Sequence, residues 1–510
     1  MKKLISHIGL VALLCSAALF SAQGQSRSTS RTVTSNSDGI TIKVTNGDHG
    51  FDVNYDGDIK FNDAFTDVSY ISPGGYITIS KTSFGNKRRL ELKGATGGTI
   101  EREFWDGGTE KPYEPAGRKF LEEMLPRLFN STRLGAEDRV NKLFAKGGSK
   151  AVIEDIEDKD SDYIKGYYFD LALHLSNARE SDKVAFLRAA GRELDSSFEL
   201  SRLLQSVGSE MLKSKATSDA LLEAIAEIDS DFETSKVLRE LLVDVDLKDP
   251  RMVTILEGMD SDFEKSRLLL EAIKQPDLTK DELNTVLRLL ENVDSDFEKS
   301  RVMREVVNSR ALELEGVEMV MERLDEMDSD FEQSRILQDL VRMYELEDRA
   351  LSLALKAMDE LDSDFEKSRV LQMMLTEQEY SEAAFVEMLK HLENIESSFE
   401  QSRLLGMMLQ EEARSAATFD LLLKSITNLD SDFEKSKLLK EAAQLPNLKV
   451  SDYEGLIKAT SDLGSFEARD VYLAIIDHMP NNEDLKNLLR KAAENLDDHD
   501  YAKVIRALNQ

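Results

Sequence analysis

The sequence holds one cysteine, one tryptophan, eight prolines and six histidines in 510 residues. A single thiol excludes a disulfide framework and a cysteine zinc site, and scattered histidines give no metal-ligand spacing. Positive charge is also short, with 65 Lys+Arg against 97 Asp+Glu and a formal net charge of −32. That excludes sequence-independent nucleic-acid binding, which needs cations to displace counterions from phosphates. Beyond Phe20 no apolar run is long enough to span a bilayer. Gly-rich phosphate loops, a Gly-x-Ser-x-Gly elbow and a recurring histidine base are missing too. The expectation is therefore a protein that is no enzyme and uses no cofactor. Its 41% hydrophobic content still points to a folded chain, one too long for a single core.

Lys2 and Lys3 precede an apolar run from Ile8 to Phe20, and the small-residue segment Ala22-Gln23-Gly24 comes next. Residues 1–24 read as a secretory signal peptide, so the mature chain is expected to be periplasmic or secreted. Cys15 is a poor lipid acceptor, because Leu14 stands where a lipobox needs Gly or Ala. Residues 25–38, rich in Ser and Thr, read as a linker.

Composition then divides the chain. Residues 1–150 hold 18 of the 26 glycines and carry 21 Lys+Arg against 17 Asp+Glu, whereas the remainder carries 44 against 80. Period-two alternation at Ile40, Ile42 and Val44, at Phe51, Val53 and Tyr55, at Ile77 and Ile79, and at Leu90 and Leu92 predicts a small antiparallel β meander over residues 39–110. Within it, Asp52-x-Asn54-x-Asp56-Gly57, closing at Asp63, has the oxygen spacing of an EF-hand calcium loop. The flanks alternate as strands rather than helices, and position 12 is Asp instead of the longer Glu. The favoured expectation is a hairpin with an Asp-Gly turn. Residues 111–159, with helical patterns from Lys119 to Phe129 and from Glu137 to Phe144, are expected to cap the N-terminal end of a helical array.

That array begins at Asp160, where one phrase starts to recur, clearest as Asp260-Ser261-Asp262-Phe263-Glu264-Lys265-Ser266-Arg267. Its aromatic falls at Tyr163, Phe198, Phe232, Phe263, Phe297, Phe331, Phe365, Phe399, Phe433, Phe466 and Tyr501, at intervals of 31 to 35 residues. A fixed period of this size signals a solenoid. Ser as N-cap with Glu at N3 reads as a capping box opening helix A. A second helix B comes after it, one of them capped by Thr279-x-x-Glu282 and striped by Leu283, Val286, Leu287, Leu290 and Val293. The predicted fold is mainly α: an α-solenoid of about ten helical hairpins over residues 160–510, after the β module. The tetratricopeptide Trp-x-x-Leu-Gly-x-x-Tyr pattern is lacking, so the architecture is better described as HEAT-like.

The Ser-Asp-Phe/Tyr-Glu phrase, with Asp67-Val68-Ser69-Tyr70-Ile71-Ser72-Pro73-Gly74-Gly75-Tyr76, resembles exported helical-repeat regions of bacterial membrane metallopeptidases of the beta-lactam-sensor type and their free-standing relatives. The resemblance covers most of the chain after the leader. It implies an envelope protein with a sensing or binding role, and no peptidase, since His-Glu-x-x-His and membrane helices are lacking.

Four features of the phrase are candidates for function. The aromatics suit stacking on a chain-like ligand, but apolar residues at helical spacing are expected in the core between repeats. The small residue three places on, Ser201 to Ser436, is expected to allow close helix approach. The cation four places on gives the candidate partner-binding stripe: Arg202, Lys236, Arg267, Arg301, Arg335, Arg369, Arg403 and Lys437. The stripe lines a groove for an extended acidic peptide or anionic polymer, or else each cation pairs with its own N3 Glu or with the Asp of the neighbouring repeat as a solvated ladder. Calcium between the Asp-Ser-Asp-x-Glu clusters is the weaker expectation, because helix capping already employs those acids. The functional expectation is a scaffold binding a protein or peptide partner in the bacterial envelope, with no nucleic-acid partner and no membrane span. The alternatives are a sensor signalling to a membrane partner and a structural or adhesive surface protein.

Overall fold

The computed structural model describes residues 29–36, 39–46, 50–241, 247–276, 278–309, 312–344, 348–377, 380–410 and 415–510. The leader and Cys15 lie outside the described residues. The chain forms two compact units, Met1–Leu194 and Asp195–Gln510. No helix among the described residues is long and apolar enough to cross a membrane.

In the first unit, nine strands run β1 (Thr29–Asn36), β2 (Gly39–Asn46), β3 (Phe51–Asp56), β4 (Ile59–Phe61), β5 (Val68–Ile71), β6 (Tyr76–Ser83), β7 (Asn86–Gly94), β8 (Ile100–Asp106) and β9 (Thr109–Lys111). Seven form an antiparallel sheet in the order β1-β2-β3-β6-β7-β8-β9, and β4 pairs separately with β5. The meander is as the alternation predicts: Ile42, Val53, Ile77, Ile79, Leu90 and Leu92 are buried on its inner side. Two expectations are corrected. The segment read as a linker over 25–38 contains β1, which pairs with β2 from Thr29 opposite Asn46 to Asn36 opposite Gly39. Its threonines and valine are β-branched and suit a paired strand better than a free tether. The Asp56-Gly57 turn does not close a hairpin either, because β3 pairs with β6. Gly57 has φ of 84°, and Ser72 pins the turn: its hydroxyl accepts from the Asp58 N–H at 3.0 Å. The chain therefore leaves the main sheet at Gly57, and β4 finds β5 instead.

Helices α1 (Arg118–Ser131), α2 (Ala136–Glu157), α3 (Asp162–Leu173) and α4 (Glu180–Glu193) complete this unit. The sequence pattern makes segment 111–159 a cap for the solenoid, but α1 buries Phe120, Leu121, Met124, Leu125, Leu128 and Phe129 in the same core as the sheet. An open sheet with one apolar face needs such a cover, and α1 supplies it. Helix α2 bends at Gly148, whose φ is 65°. The first repeat, α3 and α4, belongs to this unit too, so the boundary falls after Leu194 rather than at residue 160.

The second unit consists of helical hairpins. Helix A of each repeat contacts helix A of the next, and helix B contacts helix B, giving two layers. One hairpin shows the logic. Helix A Asp262–Ile273 buries Leu268, Leu269, Ala272 and Ile273, and helix B Lys280–Leu289 buries Leu283, Val286 and Leu287. The Thr279–Glu282 capping box is complete, with the Thr279 N–H donating to Glu282 Oε2 at 2.8 Å and the Glu282 N–H to Thr279 Oγ1 at 3.3 Å. Leu290 and Val293, just past helix B, are also buried. This is an α-solenoid.

Candidate partner-binding face

The recurring phrase is a set of hydrogen bonds between neighbouring repeats. Its Ser caps helix A as expected: the Ser261 hydroxyl accepts from the Glu264 N–H at 3.3 Å, and Ser295 and Ser329 repeat this with Glu298 and Glu332 at 3.4 Å. The return half of the capping box is not made by Glu. The N-cap N–H instead donates to the N1 Asp of the preceding repeat, Ser261 to Asp231 at 2.6 Å, Ser295 to Asp262 at 2.8 Å and Ser329 to Asp296 at 2.7 Å. Ser363 and Ser397 reach Asp330 and Asp364 the same way, both at 2.7 Å. A carboxylate accepting backbone N–H groups at a helix start also meets the positive end of the helix dipole.

That substitution frees the N3 Glu for two other partners. The buried Ser three places after the ring donates to the N3 Glu of the next repeat: Ser266 to Glu298, Ser334 to Glu366, Ser368 to Glu400 and Ser402 to Glu434. The same Ser does allow close approach, since Ser201, Ser266, Ser334 and Ser368 have no exposed surface. At Ser235 and Ser300 the buried hydroxyl makes no such bond.

The second partner of Glu is the stripe cation. Arg202 pairs with Glu199 at 2.6 Å, Lys236 with Glu233 at 3.6 Å, Arg267 with Glu264 at 3.9 Å and Arg301 with Glu298 at 2.6 Å. Arg335 pairs with Glu332 at 3.3 Å, Arg369 with Glu366 at 3.2 Å, Arg403 with Glu400 at 3.0 Å and Lys437 with Glu434 at 3.5 Å. All eight candidate cations thus sit in register, each neutralised within its own repeat. The arrangement offers no row of unpaired positive charge to an acidic ligand.

The aromatics overturn an expectation. Read as core, the nine phenylalanines from Phe198 to Phe466 are instead 50–69% exposed. Helix geometry gives the reason. At about 100° per residue, Phe263 lies roughly 140–180° around the helix from Lys265, Leu268 and Ala272 on the inner face. Residues 264, 265, 266, 268, 269, 272 and 273 are buried, while 263 is exposed and 267 half-buried. The core lies at Leu268, Leu269, Ala272 and Ile273, and the ring marks the opposite side. The stripe cation flanks it, with the Arg301 guanidinium 5.8 Å from the Phe297 ring centre, Arg335 5.4 Å from Phe331 and Arg369 5.8 Å from Phe365; at Phe466, where position 470 is Asp, Arg469 outside the stripe lies 4.2 Å from the ring. At Phe297, Phe331 and Phe365 the ring is therefore held against a cation that a carboxylate already fixes.

The acid opening each phrase completes the face. Asp195, Asp229, Asp260, Asp294, Asp328, Asp362, Glu396 and Asp430 are all exposed, three residues before the eight rings from Phe198 to Phe433 and at the same end of helix A; before Phe466 the position is Leu463. The helical wheel could have located this face from sequence, because it fixes where the ring must point once the buried leucines are assigned. Among the described residues no three His, Cys, Asp or Glu side chains gather as metal ligands. His391, isolated in sequence, meets Asp359 of the preceding repeat at 2.6 Å.

No protein-family model matches the chain, and no curated relative does. Solved structures similar to it include a circular tandem repeat protein with novel repeat topology and enhanced subunit contact surfaces, at 13% identity, covering 77% of this chain and 78% of that one, TM-score 0.14. The crystal structure of SYS-1 matches at 12% identity, covering 78% of each chain, TM-score 0.17. A computationally designed self-assembling cyclic homooligomer matches at 11% identity, covering 73% of this chain and 97% of that one, TM-score 0.09. TM-scores this low carry nothing beyond the likeness itself, and the functional reading rests on the geometry of the chain.

Proposed function

We propose that the chain is an exported, non-enzymatic helical-repeat scaffold that binds a protein or peptide partner in the bacterial envelope. The observation that carries the reading is the row of phenylalanines, nine rings at one repeat position, each at least half exposed. Large apolar side chains in one exposed row mark interaction surfaces, whereas singly scattered ones do not. Aromatic residues are also the side chains over-represented where binding energy concentrates. Export is supported by the leader-like segment at residues 1–24.

The test is in-cell photocrosslinking from position 331, on the ring row, followed by mass spectrometry, with position 421 on a B helix as the control. A specific polypeptide captured from 331 and not from 421 is the expected result. Equal, non-specific capture from both positions overturns the reading.

A further inference from the structure

The ring row has a spacing, and the spacing selects a ligand conformation. Packed helices lie about 8–10 Å apart, so the row presents one ring every 8–10 Å or so. An α-helical partner repeats along its axis every ~5.4 Å and falls out of step within two repeats. A β-strand returns a side chain to the same face every ~6.6–6.8 Å and also drifts. A polyproline II chain rises ~3.1 Å per residue with three residues per turn, and so turns once every ~9.3 Å. It presents one side chain per turn to the same side, in step with one ring per repeat. Aromatic rows are also the surfaces on which polyproline II segments dock, because the chain is already extended and loses little entropy.

Charge then selects the composition. The stripe cations are neutralised by their own glutamates, so the exposed charge beside the rings is that of the opening acids from Asp260 to Asp430. The unit that carries the row has 38 Lys+Arg against 70 Asp+Glu over residues 195–510, which accounts for the chain's whole net charge of −32. A second copy of this face would bring acid against acid, and a polyanion would be repelled.

We infer that the edge formed by the exposed phenylalanines and opening acids of helix A binds an extended, basic, proline-rich polypeptide segment in polyproline II conformation. The inference rests on the proposed role as a polypeptide-binding scaffold and specifies its partner. Each proline-bearing turn packs on one ring, and the intervening basic residues meet the acids three positions before it.

The test uses the full chain and three labelled peptides of about 27 residues, one turn per ring: repeated Pro-Pro-Arg, repeated Gly-Ser-Arg of equal charge, and repeated Pro-Pro-Glu. Fluorescence anisotropy is expected to show Pro-Pro-Arg binding about tenfold or more tighter than Gly-Ser-Arg, and no binding of Pro-Pro-Glu. Replacing Phe297, Phe331 and Phe365 together by Ala should remove that advantage with the circular dichroism spectrum unchanged. Replacing Asp294, Asp328 and Asp362 by Asn, which leaves the rings in place, should weaken both basic peptides and flatten their salt dependence. Equal affinity of the two basic peptides, undiminished by the Phe replacements, overturns the inference in favour of charge attraction alone. Failure of Pro-Pro-Arg to bind overturns it outright. A polypeptide captured from position 331 that lacks a basic proline-rich segment, or keeps its affinity for the Phe variant, overturns the inference while the scaffold reading stands.

Discussion

At the scale of single residues, neighbours in the phrase have opposite consequences for stability. Asp296 accepts two backbone N–H groups of the next repeat, from Asp328 at 2.9 Å and Ser329 at 2.7 Å. Asp296→Ala leaves both without that acceptor and is expected to cost about 1–3 kcal/mol. The next residue, Phe297, is 56% exposed. Phe297→Ala should stay within about 0.5 kcal/mol of the parent, where a core phenylalanine would cost about 3–5. Urea unfolding monitored by circular dichroism reads both. A large loss for Phe297→Ala would return the ring to the core and remove the basis of the binding face. The contrast also shows what is legible in the phrase. Ser as N-cap follows from local chemistry and can be read directly. The destination of the second Asp and of Glu cannot, because both bond across the gap to another repeat, and a local capping rule credits Glu with a bond that the preceding repeat's Asp makes instead.

At the scale of elements, helix periodicity and repeat length are plain in the sequence, since each hairpin needs only its own apolar stripe and its neighbour's. Elements whose role depends on distant packing are not. Helix α1 is recognisable as a helix, but nothing local says that Phe120 and Phe129 enter the sheet core. The junction between α2 and α3 shows the same dependence. Lys159 is fully enclosed, and its ammonium donates to Asp155 at 2.8 Å, where the Arg139 guanidinium also binds. Burial pulls the Lys159 pKa below its usual value despite that carboxylate. Burial alone would raise Asp155, but the Arg139 hydrogen bond and the Lys159 charge hold it below the ordinary carboxylate range. With its folded pKa depressed, Asp155 contributes stability that is complete above the unfolded value near ~3.9 and is lost as pH falls through the folded value. Asp155→Asn removes the anion and leaves Lys159 buried beside Arg139 without the carboxylate that both cations contact. The expected loss is about 3–5 kcal/mol, with the acid limb of the stability–pH curve flattened. Thermal melts from about pH 2 to pH 7 check both, and an unchanged acid limb would remove Asp155 from the account.

At the scale of the molecule, charge and architecture divide at the same place. Residues 1–194 hold 27 Lys+Arg and 27 Asp+Glu, so the first unit is neutral and the solenoid unit carries the whole −32. Two electrostatic effects oppose one another in that unit. The stripe pairs attract at contact distances of 2.6–3.9 Å, well inside the Debye length of about 8 Å at physiological salt, so added salt screens them weakly. The excess acids repel over one or more repeats, on the order of 10–30 Å, and the Debye length crosses that range between about 0.01 M and 0.15 M salt. Repulsion is therefore the term that salt removes, while the pairs, whose glutamates are largely buried and whose cations are a third to a half exposed, respond to it little. The melting temperature of the solenoid unit within the full chain should rise by about 1–2 °C over that interval in sodium chloride, which corresponds to relief of about 1 kcal/mol. Over the same interval a basic proline-rich peptide should bind less tightly, because salt screens the acids it is drawn to. Stability and affinity thus move in opposite directions with one variable. A melting temperature that falls with salt would mean that the ion pairs dominate the electrostatics of the unit, and that its acids are compensated rather than free to attract a basic partner.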